Sequence, residues 1–392
     1  MHVLVVASYY PTAENPVTGI FIETQALMLH RAGHRVGVLV TPRLAATRET
    51  IRRDGLAGLK AVTRETYFPY DADMPVYRMH WGWFPRPLPP IVAPLTASAG
   101  AAAYRQYVKS HGAPDVLFAH NVFYAGFLAA RLKRQFGVPA VLLEHSSSYR
   151  EGRVIFPGQG RIARATFAAC DPVMGVSTAL ARSIAPYLNG KTCTTLGNLV
   201  DTDFFAPTDP PPRPPVVFSW IAMFTQRVKR PDVLLKAFAR VAEAAPDARL
   251  HLRGDGFMRG EIESQIAALG LGDRVTLLGA SDLAGVRDTI RASHAVISSS
   301  DIETFGLTLA EAMACGVPVV ATRSGGPEDF VTPDAGILTP PGDPEALAES
   351  MLRIIRDYGR FDRTAARNLI VERFSERALI VRLEAAFQAA IQ

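Results

Sequence analysis

Residues 295–330, AVISSSDIETFGLTLAEAMACGVPVVATRSGGPEDF, narrow the possible folds more than any other stretch of the chain. Residues 295–298 form a short apolar run suited to a buried parallel strand, and residues 298–301 form a polar turn. From Gly306 helix formers take over through residue 315, and Gly316 with Pro318 marks where that helix stops. Residues 317–321 return as a second buried strand. Strand, turn, helix and strand in this order make a parallel α/β unit. Its turn and helix start lie at the carboxyl ends of the strands, where open α/β sheets bind ligands.

Two acids stand eight positions apart in this unit, Glu303 in the turn and Glu311 on the helix among Ala310, Ala312 and Met313. The helix is apolar on nearly every side, so Glu311 has little access to water, and a buried carboxylate needs hydrogen-bond donors. Vicinal sugar hydroxyls supply two. Between the acids, the N–H groups of Thr304, Phe305, Gly306, Leu307 and Thr308 sit at a helix N-terminus, which favours phosphate. The arrangement suits a sugar, a ribose and the phosphates between them; the alternative is an ordinary buried helix with incidental acids. At this point the chain resembles the family-4 retaining glycosyltransferases, in a setting of the form S-x-x-E-x-F-G-L-x-x-x-E-A-M-A-x-G-x-P-V-V-A. Ser300, Glu303, Phe305, Gly306, Leu307, Glu311, Ala312, Met313, Ala314, Gly316, Pro318, Val319, Val320 and Ala321 all match, and Gly325 and Gly326 follow as the family's next glycine pair.

With 392 residues the chain suits two domains. Apolar residues make up 48% and charged residues 20%, the balance of a globular protein. Cys170, Cys193 and Cys315 lie far apart, which suggests neither a disulfide framework nor a zinc site and fits a reducing cytoplasm. The opening MHVLVVASYYP lacks a basic leader, and the apolar stretch 91–103 is too short to span a bilayer. Residues 1–204 carry 21 Lys and Arg against 13 Asp and Glu, a net of +8, while the remainder nets −3. A basic first half suits an anionic partner such as a membrane surface, an acidic glycan or a diphosphate-linked lipid, or else is a solvated face. No nucleic-acid motif accompanies it.

Along the chain, residues 3–7 read as a strand, 20–33 as a helix and 34–41 as a second strand, and the loop before the helix is long for a βα connection. Gly19 stands where that helix begins; the resemblance makes it the glycine that closes over the donor's diphosphate, and the alternative is a plain helix-start glycine. Arg48, Arg52, Arg53, Lys60 and Arg64 suggest an exposed basic helix or loop. Residues 79–94 are predicted not to form a regular helix, and Trp81, Trp83 and Phe84 there line an acceptor cleft, touch lipid headgroups or pack as a loop on the core. Strands at 115–119 and 140–144, with a helix predicted over 123–136, bring His120 and His145 to strand carboxyl ends. The resemblance makes His145 the histidine beside the donor sugar's reacting carbon and His120 an acceptor-side candidate; the alternative for each is a structural hydrogen bond. Arg150, Arg153, Arg161 and Arg164 among Phe156, Ile162 and Phe167 make either an amphipathic membrane-facing segment or a surface helix.

PTDPPPRPP, residues 207–215, reads as a linker, so the expected division is 1–206 for acceptor binding and 216–375 for the nucleotide-sugar donor. By resemblance the last helix, about residues 376–392, packs back on the first domain. The implied architecture is GT-B: two facing doubly wound Rossmann-like α/β domains with a cleft between them. Lys229 falls where the family has a phosphate-binding lysine. The family's arginine five positions earlier is replaced by Phe224, which leaves Arg227 as the candidate second cation. Gly254, in Gly254-Asp255-Gly256, matches the family's G-x-G that makes room near the nucleobase. The implied reaction moves a sugar from a nucleotide-diphosphate sugar to a hydroxyl with retained configuration, with no cofactor and no metal. The opening residues 5–26 resemble members that build bacterial surface polysaccharides. They imply a glycan or lipid-linked acceptor and a cytoplasmic protein peripheral at the inner membrane face. A small soluble sugar or sugar phosphate as acceptor, and a non-catalytic nucleotide-sugar-binding protein, are the alternatives.

Overall fold

The structure, a computed structural model, describes residues 1–12, 18–41, 62–65, 74–79, 89–152 and 158–392; for 62–65, 79 and 89–95 it describes the backbone. Arg48, Arg52, Arg53, Lys60, Trp81, Trp83, Phe84, Arg153 and Phe156, as well as the Arg64 side chain, lie outside the described residues. The chain divides into two compact units, residues 1–199 with 379–392, and residues 200–378.

The first unit is built on β1 (His2–Ala7), β2 (Arg35–Val40), β3 (Val62–Glu65), β4 (Val76–Met79), β5 (Val116–His120), β6 (Ala140–Glu144), β7 (Val173–Gly175) and β8 (Cys193–Thr195). They form one sheet in the order β3-β4-β2-β1-β5-β6-β7-β8, parallel throughout except for the β3–β4 pair. The central strands HVLVVA, VLFAH and AVLLE are buried at every position, as strands covered by helices on both faces must be, which is why they read as apolar runs without alternation. Strand β1 lies between β2 and β5, so the strand order reverses there and opens a crevice at the carboxyl ends of β1 and β5.

Two expectations need correction here. The helix predicted over 123–136 begins at Phe127, and residues 122–126 form a kinked turn with Phe123 and Tyr124 outside helical geometry. The backbone donors there have other partners: Val122 N–H donates to the Glu144 carboxylate at 2.7 Å and Ala125 N–H to Ser8 Oγ at 3.2 Å. A regular helix, Pro89–His111, also begins inside the stretch predicted to be irregular. Pro89 and Pro90 occupy its first two positions, where an N–H has no intrahelical acceptor, so only Pro94 forfeits a bond.

The second unit contains β9 (Val217–Ile221), β10 (Arg249–Arg253), β11 (Val275–Gly279), β12 (Ala295–Ser298), β13 (Val319–Thr322) and β14 (Gly336–Thr339), all parallel, in the order β11-β10-β9-β12-β13-β14. Its core runs through Phe218, Trp220, Leu234, Phe238, Leu250 and Met351. The order reverses between β9 and β12, which places a second crevice at the carboxyl ends of those strands.

Residues 200–206, assigned by the sequence reading to the first half, are held by the second unit. Val200 N–H donates to the Phe374 carbonyl at 2.9 Å, and the Arg367 guanidinium donates to the Thr202 and Phe205 carbonyls. The proline segment packs there too: Arg363 donates to the Thr208 carbonyl and the Arg213 guanidinium lies 4.7 Å from the Tyr358 ring. In the first unit, Glu384 Oε1 meets His34 Nε2 at 3.0 Å, the Phe387 ring lies 5.3 Å from Phe118, and Arg382 donates to the Leu196 carbonyl.

Candidate active site

In the second unit, the loops after β9 and β12 are tied together at the sheet's point of reversal. Asp301 N–H donates to the Val228 carbonyl at 2.8 Å, and Ser299 Oγ donates to the Lys229 and Arg230 carbonyls, both at 2.9 Å. Arg230 caps the helix Pro231–Ala244 in the left-handed region, φ 50°, with its guanidinium forked onto Asp232 at 2.9 Å and onto Asp301 at 3.1 Å. This frame aims Lys229 at Glu303, Nζ to Oε1 2.7 Å, and Ser300 Oγ donates to the same oxygen at 2.8 Å. The backbone of Glu303 is fixed by a bridge to the β13 side: its N–H donates to the Ser324 carbonyl and its carbonyl accepts from Gly326 N–H, each at 3.0 Å. Only glycine fits at 326, because a Cβ there would lie 2.3 Å from the Phe305 carbonyl oxygen.

Phe305 anchors the turn by packing on Phe330 and Phe374, with ring centroids 5.3 and 5.0 Å away. Thr304 precedes it half-buried, and Gly306, at φ 95°, opens the helix Leu307–Ala314. The first N–H groups of this helix, starting with Leu307, have no acceptor within the helix and form an anion-binding end. Glu311 is 7% exposed, and among the described residues none donates to its carboxylate. Burial pushes its pKa up to about 7. The unit therefore sets an ammonium, a carboxylate and a helix start beside a buried carboxyl that lacks donors.

Arg227 is exposed and pairs with Glu261 at 3.1 Å instead of joining Lys229. Phe224, at the family's arginine position, is a core residue stacked 5.6 Å from Trp220. Gly254, at φ 146°, is required by its own neighbours, since a Cβ would lie 1.8 Å from the Ala222 carbonyl oxygen. The close approach there is between the loops that follow β9 and β10.

In the first unit, Gly19 adopts φ 79°, and a Cβ would sit 2.6 Å from the Tyr9 carbonyl oxygen, so this glycine lets the helix start pack against the loop after β1. His120 ends β5, fully buried, and His145 follows β6, half-buried; His120 Nδ1 lies 3.1 Å from His145 Nε2. Burial lowers both histidines, His145 to about 3, so both are neutral at pH 7. Beneath them Glu144, fully buried, accepts three backbone N–H groups: Val122 at 2.7 Å, His145 at 3.0 Å and Ser146 at 2.8 Å. Asn121, at φ 71°, adds its Oδ1 to His145 N–H at 3.3 Å. Burial still raises Glu144 to about 7 against these bonds.

The sequence reading missed Glu144, Asn121, Arg230 and Asp301. An acid closing the apolar run AVLLE was the available signal for Glu144; the fork of Arg230 onto Asp232 and Asp301 depends on two loops distant in sequence.

Known proteins resemble the chain over both units. Residues 18–191 match the glycosyl transferase 4-like domain, and residues 203–370 match glycosyl transferases group 1. A D-inositol 3-phosphate glycosyltransferase from Xylanimonas cellulosilytica is 31% identical over 288 residues, 66% of this chain and 67% of that protein. The N-acetyl-alpha-D-glucosaminyl L-malate synthase of Bacillus anthracis is 35% identical over 162 residues, 41% of this chain and 42% of that protein, so the chain spans less than half the length of this relative. HepE from Anabaena, solved in complex with UDP, has the same fold: TM-score 0.72 over 99% of this chain and 100% of that one, at 19% identity. The chain belongs to the family-4 glycosyltransferases and has their GT-B fold.

Proposed function

We propose that the chain transfers a glycosyl group from a nucleoside-diphosphate sugar to an acceptor hydroxyl with retention of anomeric configuration. The observation that carries this reading is the Lys229–Glu303 pair at the reversal between β9 and β12, beside the start of the Leu307–Ala314 helix and the donorless Glu311. The ribose hydroxyls of the donor supply what Glu311 lacks. The diphosphate takes Lys229 and the helix N–H groups, and the sugar hydroxyls take Glu303 once Lys229 turns to phosphate. His145 stands by the reacting carbon, and Gly19 and Gly254 let their loops approach the donor.

In the reaction, the acceptor oxygen bonds to the anomeric carbon on the face from which the diphosphate leaves. The bond between that carbon and the phosphate oxygen breaks, and the hydroxyl proton passes to the departing phosphate. Lys229 and the helix start stabilise the charge left on the diphosphate. Divalent metal is dispensable in this scheme. The proposed acceptor is a glycan or lipid-linked glycan of the cell surface. A small soluble acceptor is the second reading, favoured by the malate and inositol phosphate in the names of the two relatives. NMR of the glycoside product, formed with and without EDTA, tests the chemistry: retention and undiminished turnover are expected. An inverted product or a turnover abolished by EDTA would overturn it.

A further inference from the structure

His120 and His145 share one contact, His120 Nδ1 to His145 Nε2 at 3.1 Å, with rings stacked 5.3 Å apart. His120 Nε2 is buried and has no hydrogen-bond partner. A hydrogen bond between two neutral imidazoles needs one N–H and one lone pair. If His120 accepted at Nδ1, its proton would sit on Nε2 as a buried N–H with no acceptor. If it donates from Nδ1, only a lone pair at Nε2 goes unused. Orphaned buried donors are the rarer case, because an unmet N–H carries its full desolvation cost. His120 is therefore the donor, His145 Nε2 accepts, and the proton of neutral His145 is on Nδ1. The ring is kept in place from its backbone, where His145 N–H is held by Glu144 and Asn121, and from Phe21, 4.6 Å away.

We propose that His120 is a positioning residue that locks His145 as the neutral Nδ1–H tautomer, making it a fixed hydrogen-bond donor and not a proton-transfer group. The proposal rests on the placement of His145 beside the donor sugar. It has a chemical consequence there. Positive charge builds at the anomeric carbon as the glycosidic bond breaks, and an imidazolium nearby would oppose it, whereas a neutral N–H holds a sugar hydroxyl without that repulsion. The lowered pKa of both rings agrees with this assignment, since protonating His145 at Nε2 would set two N–H groups against each other.

Two-bond proton–nitrogen correlation spectra of the full chain labelled with nitrogen-15 histidine, assigned with His120→Asn and His145→Asn, read the tautomers directly. His120 and His145 are both expected to carry the proton on Nδ1. His120→Leu is expected to shift His145 toward the Nε2–H form and to lower kcat about tenfold or more with a smaller change in donor KM. His120→Asn, whose amide keeps a donor near the place of Nδ1, is expected to retain the tautomer and more of kcat. An Nε2–H His145 in the unmodified protein, or an unchanged tautomer in folded His120→Leu, would overturn the proposal; if His120→Leu does not fold, the unmodified spectrum decides. A protein that shows the Nδ1–H pair yet turns over no donor would overturn glycosyl transfer and uphold the tautomer.

Discussion

Glu311 ties the proposed donor site to pH. Its folded pKa, about 7, lies above the ordinary carboxyl value because burial disfavours the ionised form. A group raised in this way adds its stability below the unfolded pKa and loses it as pH rises through the folded one. Above pH 7 the ionised acid then costs the fold on the order of 3 kcal/mol. Glu311→Gln should gain stability relative to the unmodified protein between pH 5 and 8, as read from urea midpoints. Glu144 contributes equally to both and cancels. A pH-independent difference would show that Glu311 has donors or water. The cations make a second pair of expectations. Lys229→Ala should lower turnover on the order of a hundredfold, whereas Arg227→Ala, exposed and paired with Glu261, should cost less than tenfold. The reverse ranking in steady-state kinetics would mean that Arg227 leaves Glu261 for the phosphates.

The elements most legible in the sequence are those buried on both faces. Ala140–Glu144 and Ala295–Ser298 match their predicted bounds residue for residue, because a central parallel strand is an uninterrupted apolar run. By contrast β3 (VTRE) and β8 (CTT) are short and polar enough to show no pattern. The carboxylates of the proposed donor site stood out because strand, turn and helix sit in one continuous stretch. Glu144 did not, since the three N–H groups it collects come from loops after two different strands. The pairing of Arg227 with Glu261 joins segments 34 residues apart, which no local spacing announces. The turn that fixes Glu303 offers a test at this scale. Gly326→Ala would drive a methyl into the Phe305 carbonyl and should lower Tm by a few degrees along with turnover, while Gly359→Ala, with nothing within 4 Å of its Cβ, should leave Tm nearly unchanged. Equal Tm values for both variants would contradict the close packing of the turn.

For the molecule as a whole, charge is the remaining signal. The first half nets +8 and the second −3, and among the described residues no helix is long and apolar enough to cross a membrane. If the acceptor is lipid-linked, the chain should co-sediment with anionic vesicles at low salt and lose most of that binding at several hundred millimolar salt. Failure to bind at low salt would favour the small soluble acceptor. The central claim, that the second unit activates a nucleotide sugar through Lys229 and Glu303, is tested most directly by nucleoside diphosphate release. A panel of nucleotide sugars would be offered, with candidate acceptors, to the unmodified protein, Glu303→Ala and Lys229→Ala. Release from one donor, lost in both variants, is the predicted result. Tight donor binding with no release from any donor would contradict it and make the chain a nucleotide-sugar-binding protein.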